Sequence, residues 1–137
     1  MTAIRSSSEG ETEAAGRELA RALQAGDVVL IDGPLGAGKT AFVRGLAEGA
    51  GADPEDVSSP TFTILQQYAG SPVVYHADLY RLTPPEVEDL GLEETGLDGI
   101  LAVEWPDRWP ARPRDACRVQ IEDLGGDQRR ITIYSTR

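Results

Sequence analysis

The stretch Val28-Val29-Leu30-Ile31-Asp32-Gly33-Pro34-Leu35-Gly36-Ala37-Gly38-Lys39-Thr40 decides the fold. Its first four residues form a β-branched apolar run, too short for a helix and suited to a buried parallel strand. Residues Gly33 to Thr40 match the pattern G-x-x-x-x-G-K-[ST]. A chance match in a chain of this size is expected roughly once in two hundred. Phe42, Val43, Leu46, Ala47 and Ala50 then mark a helix that ends near Gly51. Strand, glycine-rich turn and helix are the context in which the pattern acts as a phosphate-binding loop for ATP and Mg²⁺.

Each part of the pattern has a physical task. Gly33, Gly36 and Gly38 let the backbone N–H groups of the loop, including those of Leu35 and Ala37, turn inward around phosphate oxygens. The helix that starts at Lys39 aims its unpaired N–H groups and its dipole at the same phosphates. Lys39 is expected on the β- and γ-phosphates and the Thr40 hydroxyl on Mg²⁺. Lys39 is also the single lysine among 13 basic residues. Every other positive charge is an arginine, so this position asks for a compact ammonium on a flexible stem.

Working outward, Glu9 to Ala25 reads as a helix with Ala15, Leu19, Ala22 and Leu23 on one stripe and Gly26 as its stop. Gly45 and Gly49 in the second helix cost about 1 kcal/mol each in propensity, which points to close packing. Thr61 to Tyr68 and Val73 to Asp78 read as strands joined at Ala69-Gly70-Ser71-Pro72. Thr83-Pro84-Pro85 opens a short acidic helix carrying Val87 and Leu90. Ile100-Leu101-Ala102-Val103 is another buried strand, and Pro106 to Pro113 is a loop. Val119 with Ile121 and Ile131 with Ile133 mark a final hairpin turning at Leu124-Gly125-Gly126-Asp127. The expectation is an α/β fold of the P-loop NTPase kind, a mixed sheet flanked by helices, in a single domain over residues 1–137.

Composition narrows the function. No run approaches the roughly 20 apolar residues that span a bilayer, and the N-terminus lacks a signal-type apolar stretch, so no membrane is involved and the cytoplasm is expected. Cys117 is the lone cysteine, read as a small buried strand residue. The formal net charge of −10 opposes direct binding to a nucleic-acid backbone. Arg108, Arg112, Arg114 and Arg118 cluster and read as a solvated loop, with a kinase-type lid as the alternative.

A nucleotide loop needs a second acid to hold or position the metal. Glu104 and Asp78 each end a buried strand, and Glu104 follows the cleaner apolar run, so it ranks first as metal ligand. In Ser58-Ser59-Pro60-Thr61-Phe62-Thr63, Thr61 stands where many nucleotide hydrolases sense the γ-phosphate. His76, the only histidine, has no His or Cys partner for a metal and reads as a core or sheet-face residue. A guanine-reading Asn-Lys-x-Asp motif is excluded, because the single lysine already belongs to the loop.

Four segments together carry a resemblance. Gly33 to Thr40, Ser59-Pro60-Thr61-Phe62, His76-Ala77-Asp78-Leu79-Tyr80-Arg81-Leu82 and Val103-Glu104-Trp105-Pro106 resemble, in order and spacing, the TsaE (YjeE) family of bacterial tRNA threonylcarbamoyladenosine synthesis. The first motif is generic, whereas the His76 to Arg81 and Glu104-Trp105-Pro106 segments together are specific. The resemblance implies Lys39 on the phosphates, Thr40 and Glu104 at Mg²⁺, Asp78 as a catalytic or water-positioning acid near the γ-phosphate, and Thr61 in a switch-like loop. Trp105 lies beside the metal acid, and the segment around Glu9 approaches the base. Pro34 stands where the family commonly has Asp, which removes one backbone N–H. The resemblance further implies an ATPase that is weak alone and works with TsaB-like and TsaD-like partners, meeting tRNA only through them. A small-molecule kinase and a nucleotide-dependent module that never hydrolyses ATP are the competing readings.

Overall fold

The computed structural model describes residues 1–57 and 64–135. Seven strands form one sheet in the order β1-β7-β6-β2-β5-β4-β3. They are β1 (Thr2–Ser6), β2 (Val28–Asp32), β3 (Leu65–Tyr68), β4 (Val73–Asp78), β5 (Gly99–Glu104), β6 (Cys117–Gly125) and β7 (Gln128–Tyr134). The central strand β2 runs parallel to both neighbours, β5 and β6, and β4 runs parallel to β5. The β3–β4, β6–β7 and β1–β7 pairs are antiparallel. The mixed α/β sheet expected from the sequence is therefore the one found.

Alternation along the central strands sorts the core into two layers. Val29 and Ile31 of β2, with Ile100 and Ala102 of β5, face one side, where α1 (Glu9–Ala20) and α2 (Lys39–Gly49) pack. Leu30 of β2, with Leu101 and Val103 of β5, faces the other. There Leu79, Trp109, Val87 of α3 (Pro84–Glu88) and Leu92 of α4 (Leu92–Thr95) cover the sheet. All six residues of β5 are buried, as a parallel strand covered on both faces requires.

The two helical glycines explain themselves. A Cβ on Gly45 would collide with the backbone of Glu13, and one on Gly49 would come within 2.6 Å of Ala20 Cβ. Close approach of α1 to α2 needs both positions bare. That approach brings the N-terminus of α1 beside the phosphate loop, so the packing that costs helix propensity also builds the site.

Four differences from the sequence reading have local causes. The first helix ends at Ala20, not Ala25, because Ala22 and Leu23 donate to Leu19 and Ala20 in tight i→i+3 turns. Ala22 is consequently exposed and Ala20 takes its place in the core. Strand β1 was not expected, since Ile4 is its only large apolar residue, and pairing with β7 supplies what its pattern lacks. The short helix α4 likewise has no pattern long enough to be read. Of the strand expected over Thr61 to Tyr68, Leu65–Tyr68 is found, and Thr61 lies outside the described residues. Among the described residues no helix is long and apolar enough to cross a membrane.

Candidate nucleotide site

The C-terminal ends of β2, β4 and β5 converge on one side of the sheet. The parallel register sets Ile31 opposite Glu104 and Asp78 opposite Glu104, so both strand-end acids arrive beside the phosphate loop that follows β2. A cleft of about 460 Å³ opens there. Its walls include Gly36, Ala37, Gly38, Lys39 and Thr40 from the loop, Asp78 and Glu104 from the strand ends, and Glu9 and Thr12 from α1. Open α/β sheets offer ligand crevices at this edge, outside the carboxyl ends of the strands.

The loop keeps its shape through left-handed glycines. Gly36 has φ of 76° and Gly38 φ of 102°, a region closed to most side chains. Gly38 caps α2 with no side-chain hydrogen bond, leaving the first N–H groups of that helix toward the cleft. Gly33 does not line the cleft. It sits tight against β6, where a Cβ would come within 2.7 Å of the Ile121 carbonyl. Pro34, which supplies no N–H, contributes its carbonyl, accepting from Ala37 N–H at 3.1 Å. Leu35 is exposed at the rim.

Lys39 is buried, and its ammonium is held three ways. It donates to the carbonyls of Gly33 at 2.5 Å and Pro34 at 2.9 Å, and it lies 4.4 Å from the centre of the Trp105 ring. Burial pulls its pKa below the ordinary lysine value, while Glu104, Asp78 and Asp32 pull the other way. These carbonyl contacts hold the ammonium at the mouth of the loop, where phosphate oxygens would be stronger acceptors.

Glu104 is buried and fixed from behind. His76 Nε2 and Glu104 Oε2 share a 2.5 Å hydrogen bond, and His76 Nδ1 meets the Tyr68 hydroxyl at 2.8 Å. The core placement expected for His76 is correct, and its contact with the strand-end acid is the part that sequence reading missed. Thr40 Oγ1 lies 3.5 Å from Glu104 Oε2, long for a hydrogen bond and short enough for both oxygens to reach one cation at about 2.1 Å. An all-oxygen pair suits a hard ion such as Mg²⁺. Among the described residues no cluster of three or more His, Cys, Asp or Glu makes a complete metal site. A cation here therefore needs ligand oxygens from a phosphate chain, as Mg²⁺ commonly does.

Asp78 is half-buried, with Oδ1 accepting the Tyr80 N–H at 3.0 Å. Burial raises its pKa, partly offset by that N–H; Glu104 adds to the rise, while His76 and Lys39 oppose it. Glu9 is the first residue of α1 and holds Arg44 of α2 at 2.9 Å. Arg44, Thr12, Asp127 and Arg129 also line the cleft, and none was picked out from the sequence as a site residue. They come from elements far apart in the chain and carry no shared motif. The arginine cluster goes elsewhere: Arg108 donates to Leu82 O, Arg112 to Trp109 O, and Arg118 stacks on Tyr134. None of these lines the cleft.

Comparison with known proteins gives the family and the fold. The sequence model of the family described as "Threonylcarbamoyl adenosine biosynthesis protein TsaE" matches residues 6–131. This chain belongs to the TsaE family. A relative from Nostoc sp., named tRNA threonylcarbamoyladenosine biosynthesis protein TsaE, is 41% identical over 98% of this chain and 88% of its own length. Relatives of the same name from Bacillus subtilis and Treponema pallidum are 41% and 38% identical, covering 90% and 93% of this chain and 78% and 96% of their own. The crystal structure of YdiB from Bacillus subtilis superposes with a TM-score of 0.78 at 32% identity, covering 99% of this chain and 86% of that one. A TsaE-family fold and the sequence pattern G-x-x-x-x-G-K-[ST] thus coincide in one chain.

Proposed function

We propose that this TsaE-family protein binds and hydrolyses ATP with Mg²⁺, and that it serves tRNA threonylcarbamoyladenosine biosynthesis alongside TsaB-like and TsaD-like proteins in the cytoplasm. The observation that carries the reading is the convergence of Lys39, Thr40, Asp78 and Glu104 on one cleft at the loop. In this account Lys39 leaves the Gly33 and Pro34 carbonyls for the β- and γ-phosphates. Thr40 and Glu104 are the residues that would hold Mg²⁺, which when bound would supply positive charge at the phosphates. Asp78 orients the attacking water, and its raised pKa makes the ionised carboxylate a better proton acceptor. Thr61 senses the γ-phosphate, and Glu9 borders the base.

Names of the relatives support the tRNA-modification role. The net charge of −10 supports contact with partner proteins, with tRNA reached through them. Calorimetric titration with ATP tests the nucleotide reading: binding that strengthens with Mg²⁺ in the parent and loses that dependence in Glu104→Ala is expected. Equal affinity with and without the metal in the parent would remove Glu104 and Thr40 from a metal site. Phosphorylated metabolite formed by the purified chain alone would favour a kinase instead. Full function in Asp78→Ala, with loss in Lys39→Ala, would favour a module that binds nucleotide without hydrolysing it.

A further inference from the structure

The phosphate loop is held from outside by a residue more than ninety positions away. Arg129 stands near the start of β7, and its side chain is mostly buried between the β6–β7 turn and the loop. Its Nε donates to the Ala37 carbonyl at 3.0 Å, and Nη2 reaches the Gly36 carbonyl at 3.4 Å. Nη1 points back into the hairpin, donating to Asp123 Oδ1 at 3.0 Å and to the carbonyls of Gly126 and Gln128 at 2.8 and 2.9 Å. One side of the planar fork thus grips the loop and the other grips the hairpin.

From this geometry we infer that Arg129 is a positioning residue for the nucleotide, acting through the Ala37–Gly38 peptide. A trans peptide is planar, with its C=O and N–H pointing in opposite directions. Fixing the Ala37 carbonyl on Arg129 therefore fixes the Gly38 N–H on the other side of the plane. Gly38 is the left-handed residue that caps α2, so it has the conformational freedom to turn that peptide over if nothing holds it. The guanidinium removes the freedom in advance, which is how preorganisation raises affinity. Arginine suits the task because a rigid fork spans two sets of acceptors, which a single ammonium does not. With most of its N–H groups committed to protein acceptors, Arg129 acts as a brace for the loop rather than as a hand on the phosphates.

The inference rests on the reading of Gly33 to Thr40 as a nucleotide loop, and one experiment separates the two. Calorimetry with ADP and with Mg²⁺–ATP is run on the parent, R129M, R129K and D123A, below the lowest melting temperature of the set. R129M is expected to weaken both nucleotides by the same factor, about tenfold or more, as loss of charge-assisted hydrogen bonds implies. R129K should recover less than half of that loss, and D123A should weaken binding by about threefold, because it loosens the fork without touching the loop. Hydrogen exchange on the nucleotide-free proteins is the readout that a merely structural role leaves still: in R129M, amides of residues 35–40 should exchange faster while those of β2 and β5 do not. A uniform rise across the sheet would make Arg129 a stabiliser of the fold and overturn the inference. R129M binding within twofold of the parent would overturn it too, leaving the loop reading intact. A parent that binds neither nucleotide would overturn both. Should R129M fail to fold, R129K and D123A carry the same comparison, and affinities for both within twofold of the parent would overturn the inference.

Discussion

His76 Nε2 stands 2.5 Å from Glu104 Oε2, with both side chains buried, and this one contact holds the strand-end carboxylate in a fixed orientation. His76 on β4 and Glu104 on β5 lie on adjacent parallel strands, and Tyr68 on β3 holds the far side of the imidazole. A carboxylate buried without such a partner would be expensive.

Replacing His76 therefore has a defined cost. His76→Leu nearly keeps the volume and leaves Glu104 with no buried hydrogen-bond partner behind it, so a loss of about 3–5 kcal/mol in urea unfolding is expected. His76→Gln retains a donor that can reach the carboxylate and should lose about half as much. Equal losses for the two would mean that ring packing, not the hydrogen bond, is what counts.

Lys39→Ala should separate binding from stability. The ammonium is desolvated, which is why its pKa is lowered, and its contacts are to carbonyls at the mouth of an open cleft. Removing it is expected to weaken ATP binding by about a hundredfold or more, the worth of charge-assisted contacts to a phosphate chain. The melting temperature of the nucleotide-free protein should move by only about two degrees. A collapse of stability would assign Lys39 to the fold instead.

How much of this could be read beforehand follows from where the information lies. The β2–loop–α2 unit was legible because a buried run, fixed glycines and one lysine occupy thirteen consecutive positions. Glu104 and Asp78 were legible as acids that end apolar runs, and the parallel register that brings them together follows from the fold class. Arg129 and Arg44 were not legible, since an arginine on an amphipathic strand or helix looks the same whether it faces water or a carbonyl 92 residues away in sequence. The His76–Glu104 bond was hidden for the same reason: pairing of β4 with β5 is a property of the sheet, not of either strand. Strand β1 was missed because an edge strand with one large apolar residue has no period to detect.

Close packing of the first two helices gives a sharper test of the fold. Gly45→Ala puts a methyl group into the Glu13 backbone, and a destabilisation of about 3 kcal/mol or more is expected. Gly10→Ala is the control: its nearest neighbour would be Ser8 Oγ at 3.9 Å, so helix propensity should make it neutral or stabilising by about 0.5 kcal/mol. Chemical denaturation of the two variants side by side decides whether α1 and α2 touch as closely as described.

Cys117, buried in β6, predicts a dependence on alkaline pH. Burial, reinforced by Asp27, raises its thiol from 9.0 to about 11. Well below pH 9 the thiol is protonated in both folded and unfolded chains and contributes no slope. Between about pH 9 and 11 only the unfolded chain gives up the proton, so stability falls, by about 2–3 kcal/mol in all. Cys117→Ala should lack that part of the alkaline decline, and a disulfide reagent at pH 8 should label the native thiol far more slowly than the urea-unfolded one. Rapid labelling of the native chain would contradict the burial.

The central claim is most directly tested by measuring ATP hydrolysis by the purified chain, alone and with the TsaB and TsaD counterparts of its own organism, with Asp78→Ala as control. The account predicts weak activity alone, a clear rise when both partners are present, and loss of that rise in Asp78→Ala. Activity indifferent to the partners, or undiminished in Asp78→Ala, would contradict it.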